Sequence, residues 1–216
     1  LALSFPRPLG DFWSALRLVQ QEIALETYQS TSGTRGGEVL TAELAEAKWR
    51  IDAAVVTMTI NEAEIWRARF NGMLMRGSEG TFMACDARRA GPLFDRDGTA
   101  IAGHSPTVLG LNGRRGIRFA GLPDSYQISA GDWFSVSYGT NPVRYALMQA
   151  AESVTANGAG QTAFIDVTPF VKTGIAAGQA VDFVNARAKM VIRDFNPGQT
   201  GILHVTGMSF SAVEAF

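Results

Sequence analysis

Cysteine is almost absent from this chain: Cys85 is the only one in 216 residues. No internal disulfide can form, so the fold does not rest on an oxidising compartment. Histidine is nearly as scarce. His104 and His204 lie far apart, and neither has a local cluster of Cys, His and carboxylate groups from which a zinc centre draws its three or four ligands. Charge of one sign is missing too. The chain has 19 basic and 20 acidic side chains, a formal net charge of −1, spread along its whole length. No stretch carries the basic excess that phosphate binding needs, which argues against a specific nucleic-acid partner. The apolar runs are too short to cross a bilayer as helices, so no membrane insertion is expected. "LALSFPRPLGDFW" has neither the basic nor the apolar region of a secretory signal. Position 1 is not Met, which reads as an initiator removed or left out. These absences predict a soluble protein made in a cytoplasm, with no catalytic, cofactor or metal-binding residue to assign.

What is present is ordinary folded-protein material, 46% apolar and 18% charged, enough for one large domain or two small ones. "AGDWFSVSYG" (130–139) alternates with a period of two and reads as a half-buried strand between turns. "LRLVQQEIALETYQ" (16–29) fits helix or strand spacing, and the turn-rich "STSGTRGG" after it favours strand. A short extended piece, "EVLTAEL", precedes a long strand, "KWRIDAAVVTMTI", apolar on both faces. One helix follows over about 61–75, with Asn61 as its cap, Glu62 and Glu64 in its first turn, and Trp66, Phe70, Met73 and Leu74 as one apolar stripe. "TFMAC" is then a strand. Beyond "DARRAGP" short strands alternate with Asp97-Gly98, Asn112-Gly113 and Asn157-Gly158, dipeptides that tight turns prefer. "RYALMQAAESV", "TAFIDVTPFV", "AVDFVNARAKMVI" and the closing "ILHVTGMSFSAVEAF" are the later strands. The fold class is mainly β with one helix.

Motifs that carry chemistry are weak. Cys85 ends an apolar strand and reads as a buried structural thiol. "FDRDG" (94–98) places its Gly too early for a calcium loop. "GLNGRRG" (110–116) lacks both the dinucleotide fingerprint and the P-loop, and reads as a turn with Arg114 and Arg115 at its tip. Asp124, Asp132, Asp166 and Asp182 sit in turns or on outward strand positions and read as solvated surface. Trp13, Trp49 and Trp133 fall where simple alternation turns them away from one layer of core. They mark a second core, a stacking platform or a subunit interface. Trp133 and Tyr138 form the candidate exposed aromatic patch.

The order of these elements resembles the distal tail proteins of long-tailed bacteriophages, which form the ring joining tail tube to baseplate. The likeness rests on "LSFPRPLGDFW", on "TRGGEVLTAEL" followed by "KWRIDAAVVTM", on the capped helix with "GTFMACDARRAGP", and on 128–184, from "ISAGDWFSVSYG" to "AVDFV". Cys85 and Ala87 depart from it, standing where an aromatic and a proline are expected. The resemblance implies a tail-tube-like split β-barrel or sandwich with a flanking helix, assembling as a hexameric ring. Residues 1–91 and 186–216 would build the ring, and 92–185 would be an inserted small β-module. The implied partners are further copies of the chain, the tail tube protein and the baseplate hub protein. DNA would pass through the lumen without specific binding. The implied location is the virion tail tip, assembled in the host cytoplasm. Ser32, Gly33, Thr34, Arg35, Gly36 and Gly37 are the candidate loop for reaching a neighbouring subunit, against the plainer reading of a solvated loop. The alternative function is a carbohydrate-binding β-module using Trp133 and Tyr138, and a cell-wall hydrolase is the weaker rival.

Overall fold

The computed structural model describes residues 4–33, 37 and 39–215. It is mainly β, with curled sheets and one α-helix. The first two strands, β1 (Leu18–Gly33) and β2 (Val39–Val55), form an antiparallel hairpin from Leu18↔Val55 to Gly33↔Val39. In its inner half Ile23 and Leu25 share a face with Trp49, Ile51, Ala53 and Val55, and this face is turned to the core. The extended piece and long strand expected separately are thus one strand, because β1 pairs with β2 along its whole length.

β3 (Met58–Thr59) leads into α1 (Ile60–Leu74). The helix starts two residues earlier than Asn61 suggested: Thr59 is the cap. Its hydroxyl accepts from the Glu62 amide at 3.4 Å, and the Glu62 carboxylate accepts from the Thr59 amide at 3.1 Å. The reciprocal pair satisfies two donors that a helix start leaves open. Glu64, expected to serve the cap, instead pairs with Arg67 at 2.7 Å. Of the apolar stripe, Phe70 and Met73 are buried together with Ala63, Trp66 is half-buried and Leu74 is exposed. Phe70 stacks on Phe195 at 4.4 Å and packs on Phe210 at 5.0 Å and Phe12 at 5.3 Å.

β4 (Thr81–Cys85) is buried throughout, since Arg7 of the N-terminal segment bridges it on its outer side. The chain then builds a second sheet system from β5 (Thr107–Asn112), β6 (Gly116–Ala120), β7 (Gln127–Ile128), β8 (Trp133–Tyr138), β9 (Arg144–Ala150), β10 (Val154–Thr155), β11 (Ile165–Thr168) and β12 (Val181–Asp182). Six of these form one sheet in the order β12-β8-β9-β11-β6-β5, while β10 pairs with β7. Phe119, Phe134 and Phe183 meet edge-on or tilted at the centre of its core. Asn112-Gly113 does open a hairpin, between β5 and β6, with Gly113 at φ +59°. Asp97-Gly98 and Asn157-Gly158 are turns that join no paired strands.

The stretch "AVDFVNARAKMVI" is not one strand. Asn185, at φ +51°, breaks it, and β12 stays in the second sheet while β13 (Arg187–Asn196) returns to the first. The Asn185 amide donates to Ala90 O at 2.6 Å, so the outgoing and returning passages touch. β14 (Gln199–Thr200) and β15 (His204–Thr206) make a small sheet with β3, and β16 (Ser209–Glu214) closes the chain. The main sheet runs β1-β2-β16-β13-β4. Its two outermost strands are tied by Gln21 of β1, whose amide donates to Cys85 O at 2.9 Å and accepts from the Ala87 amide at 2.7 Å. A side-chain amide there does the work of a peptide unit in a ladder.

Candidate assembly ribbon and the buried charges at its root

β16 pairs with β2 only from Ser209↔Ala54 to Val213↔Arg50. Beyond that point β2 is paired with β1 alone, with register shifts at Glu26/Tyr28 and Tyr28/Gln29 of the kind that increase local twist. The result is a two-stranded ribbon. Its outer six residues, Tyr28 to Gly33, extend about 20 Å at the usual rise per residue. Val39, Leu40 and Leu44 on this ribbon are 70%, 58% and 71% exposed. β1 lies at the edge of the sheet, and beyond Gln21 the described residues show no strand paired to its outer side. A long unpaired edge with apolar side chains is a template for another chain. The candidate loop sits at the ribbon's tip: Ser32 and Gly33 end β1 exposed and Gly37 is exposed, while Thr34, Arg35 and Gly36 lie outside the described residues.

The aromatic patch requires correction. Trp133 and Tyr138 are 8% and 6% exposed, not surface residues. Trp13 and Trp49 are buried as well. Simple alternation misplaced them because β8 is covered on both faces where the two sheet systems meet. Trp133 packs edge-on against Trp49 at 4.7 Å, and Trp49 Nε1 donates to Leu147 O at 2.8 Å. Burial removes the ring faces a sugar would stack on.

Behind this joint the ribbon's root is held by ions. Glu46 of β2 accepts from Arg114, at the β5–β6 hairpin tip, at 2.8 Å. Lys172, whose side chain is 4% exposed, donates to Ala47 O at 3.1 Å and lies 3.6 Å from Glu46. Between ribbon and second sheet is a cleft of about 220 Å³, with Leu25, Val167 and Phe170 among its apolar lining. Glu214, at the end of β16, is 1% exposed. Burial pushes its carboxyl up to about 7, and Lys172 and the Trp49 amide oppose that shift.

The four aspartates divide. Asp124 and Asp166 are exposed, and Asp182 is half-buried and paired with Arg187 at 3.0 Å. Asp132 overturns the surface expectation: it is fully buried. Its carboxylate accepts from the Leu93 amide at 2.9 Å and the Ser129 amide at 2.7 Å, and Arg89 sits 3.0 Å away. Asp95 of "FDRDG" is also buried, accepting from the Ala100 and Ile101 amides and from the Tyr126 hydroxyl. Both accept hydrogen bonds from loop backbone amides. Cys85 is buried, and its thiol is pushed up to about 11, by burial first and Asp86 second, so it is protonated at neutral pH. Among the described residues no three His, Cys, Asp or Glu side chains gather as metal ligands would. No described helix is long and apolar enough to cross a membrane.

No protein-family model matches the chain, and no curated protein matches it in sequence. Sequence reasoning missed Glu214 and Lys172 altogether. A weak signal existed for Glu214, since it continues the inward alternation of Phe210 and Ala212. None existed for Lys172, which follows an irregular loop.

Proposed function

We propose that this protein is a structural assembly protein: the ring-forming distal tail protein of a long-tailed bacteriophage, placed at the virion tail tip between tail tube and baseplate hub. The observation that carries the reading is the β1–β2 ribbon. In a hairpin of 16 and 17 residues, the outer six pairs, Tyr28↔Ala45 to Gly33↔Val39, join no other described strand. An isolated two-stranded ribbon is marginal in water, so its length is best explained by a second chain that covers it. Its exposed Val39, Leu40 and Leu44 suit contact with a neighbouring copy. The near-neutral charge suits a channel through which DNA slides without being held. The reading assigns no catalytic residue and no cofactor.

Light scattering on the purified protein, with negative-stain images of the same peak, tests it. A closed ring of six times 23.2 kDa, about 139 kDa, is expected. A protein that stays monomeric alone and in the presence of tail tubes refutes it.

A further inference from the structure

We propose that Glu214 is a proton-operated latch that sets how firmly the β1–β2 ribbon is held at its root. The geometry starts from a carboxylate sealed from water. Oε2 accepts one long hydrogen bond, 3.4 Å, from the Trp49 amide, and Oε1 has no hydrogen-bond partner. Trp49 lies on β2 beside Lys48 and three residues from Glu46, where the ribbon leaves the sheet.

Every element packed around Glu214 presents a charged or titratable group. Lys172 comes from the loop after β11, Lys48 and Glu46 from β2, and Tyr138 from β8, with Arg144 of β9 beside Tyr138. Lys189 of β13 flanks the strand end through its carbonyl, which accepts from the Ala215 amide at 2.8 Å.

A protonated Glu214 is neutral and leaves the Lys172 ammonium on Ala47 O and Glu46. Releasing that proton to solvent creates a buried anion with one unanswered oxygen, a state of high cost unless a cation moves to it. Lys172 and Lys48 are the cations that act on it most strongly. Drawing Lys172 toward Glu214 takes it from Ala47 and Glu46, and the module's hold on the ribbon weakens. Burial already sets the group's titration near neutrality, within reach of ordinary conditions. The inference does not depend on ring assembly.

Hydrogen exchange of amides 39–47, measured relative to those of α1 on the intact protein, tests it from about pH 5.5 to about pH 8.5. Protection at the ribbon root should fall as pH rises toward 7, by up to about tenfold per pH unit, and level off above it. Glu214→Gln should flatten the step. Lys172→Met should abolish the step and leave the root weakly protected throughout, because it removes the side chain that holds Ala47 O and Glu46. No step in the wild type, or a step retained in Glu214→Gln or in Lys172→Met, overturns the proposal. The lysine variant keeps Glu214 intact, so the test stands even where Glu214→Gln does not fold.

Discussion

Replacing Asp132 by alanine should destabilise the protein more than most single changes. The carboxylate is fully buried and makes three contacts that tie separate passages together. Oδ1 accepts from the Leu93 amide at 2.9 Å and lies 3.0 Å from Arg89, while Oδ2 accepts from the Ser129 amide at 2.7 Å. Alanine leaves two inner amides without an acceptor, each at a cost of about 1–3 kcal/mol. It also strips the Arg89 guanidinium, 21% exposed, of its anion. Arg89 keeps the Gly131 carbonyl at 3.1 Å, and its partial exposure screens the loss. Breaking a buried pair in this way costs about 3–5 kcal/mol overall, and about 4 is the expected value here.

That is a large share of a typical folding stability of about 5–15 kcal/mol. Urea unfolding followed by tryptophan emission reads it directly. With an m-value of about 2 kcal/mol/M, the midpoint should fall by about 2 M. Asp132→Asn keeps one acceptor oxygen and the shape of the side chain, so its loss should be about half as large. If alanine costs less than about 1 kcal/mol, within the range of an ordinary substitution, the argument that Asp132 organises the entry to β8 fails.

Glu214 gives a pH dependence of defined sign. Its ordinary value is 4.5 and its folded value about 7, so below the first both states are protonated and the group is neutral to stability. Between about 4.5 and about 7 the unfolded chain has given up the proton that the folded protein keeps, so stability falls across that window by about 3 kcal/mol in all and is level above it. The wild type should therefore lose stability between about pH 4.5 and about pH 7 relative to Glu214→Gln, and parallel profiles by denaturant melts would refute this. Phe70→Ala removes the ring on which Phe195 stacks and against which Phe210 and Phe12 pack. A loss of about 3–5 kcal/mol is expected by the same melts, and a loss under 1 would show the helix to be a loose appendage. Gln21→Ala deletes both bonds to Cys85 and Ala87, which predicts faster hydrogen exchange at the Ala87 amide with exchange in β13 unchanged. Equal exchange at Ala87 would mean that the two sheet edges are held together without Gln21.

Much of the fold was legible because local pattern and tertiary role agree. The alternation in β8 and β16 and the apolar content of "TFMAC" each report the burial a strand requires. The helix was legible from Phe70 and Met73, but its cap was not. Thr59 and Asn61 are both good caps, and each is followed by a glutamate three residues on, so the pattern does not choose between them; in the fold Glu62 returns the bond to Thr59 while Glu64 pairs with Arg67. "AVDFVNARAKMVI" shows a different limit. Its apolar alternation changes phase at Asn185, from Val181 and Phe183 to Ala186, Ala188 and Met190, and the two halves serve different sheets. Periodicity records which residues face inward and carries nothing about which partner strand they meet.

The buried charges were illegible for a physical reason. Asp132, Glu214 and Lys172 are charged, and charge in a sequence signals solvent, since such groups are rarely buried without partners. Their partners here are backbone amides and carbonyls from distant segments: Leu93 and Ser129 for Asp132, Trp49 for Glu214, Ala47 for Lys172. A backbone group has no residue identity, so no spacing announces it. The tryptophans failed in the complementary direction. Trp49 and Trp133 were placed outward because each strand was read against one core layer, whereas they stand at the joint of two. Trp49 and Trp133, with Glu214 and Lys172, therefore mark the same region, the seam where the second sheet system grips the root of the ribbon. Contacts that join units built from different stretches of chain are the ones that local pattern does not encode.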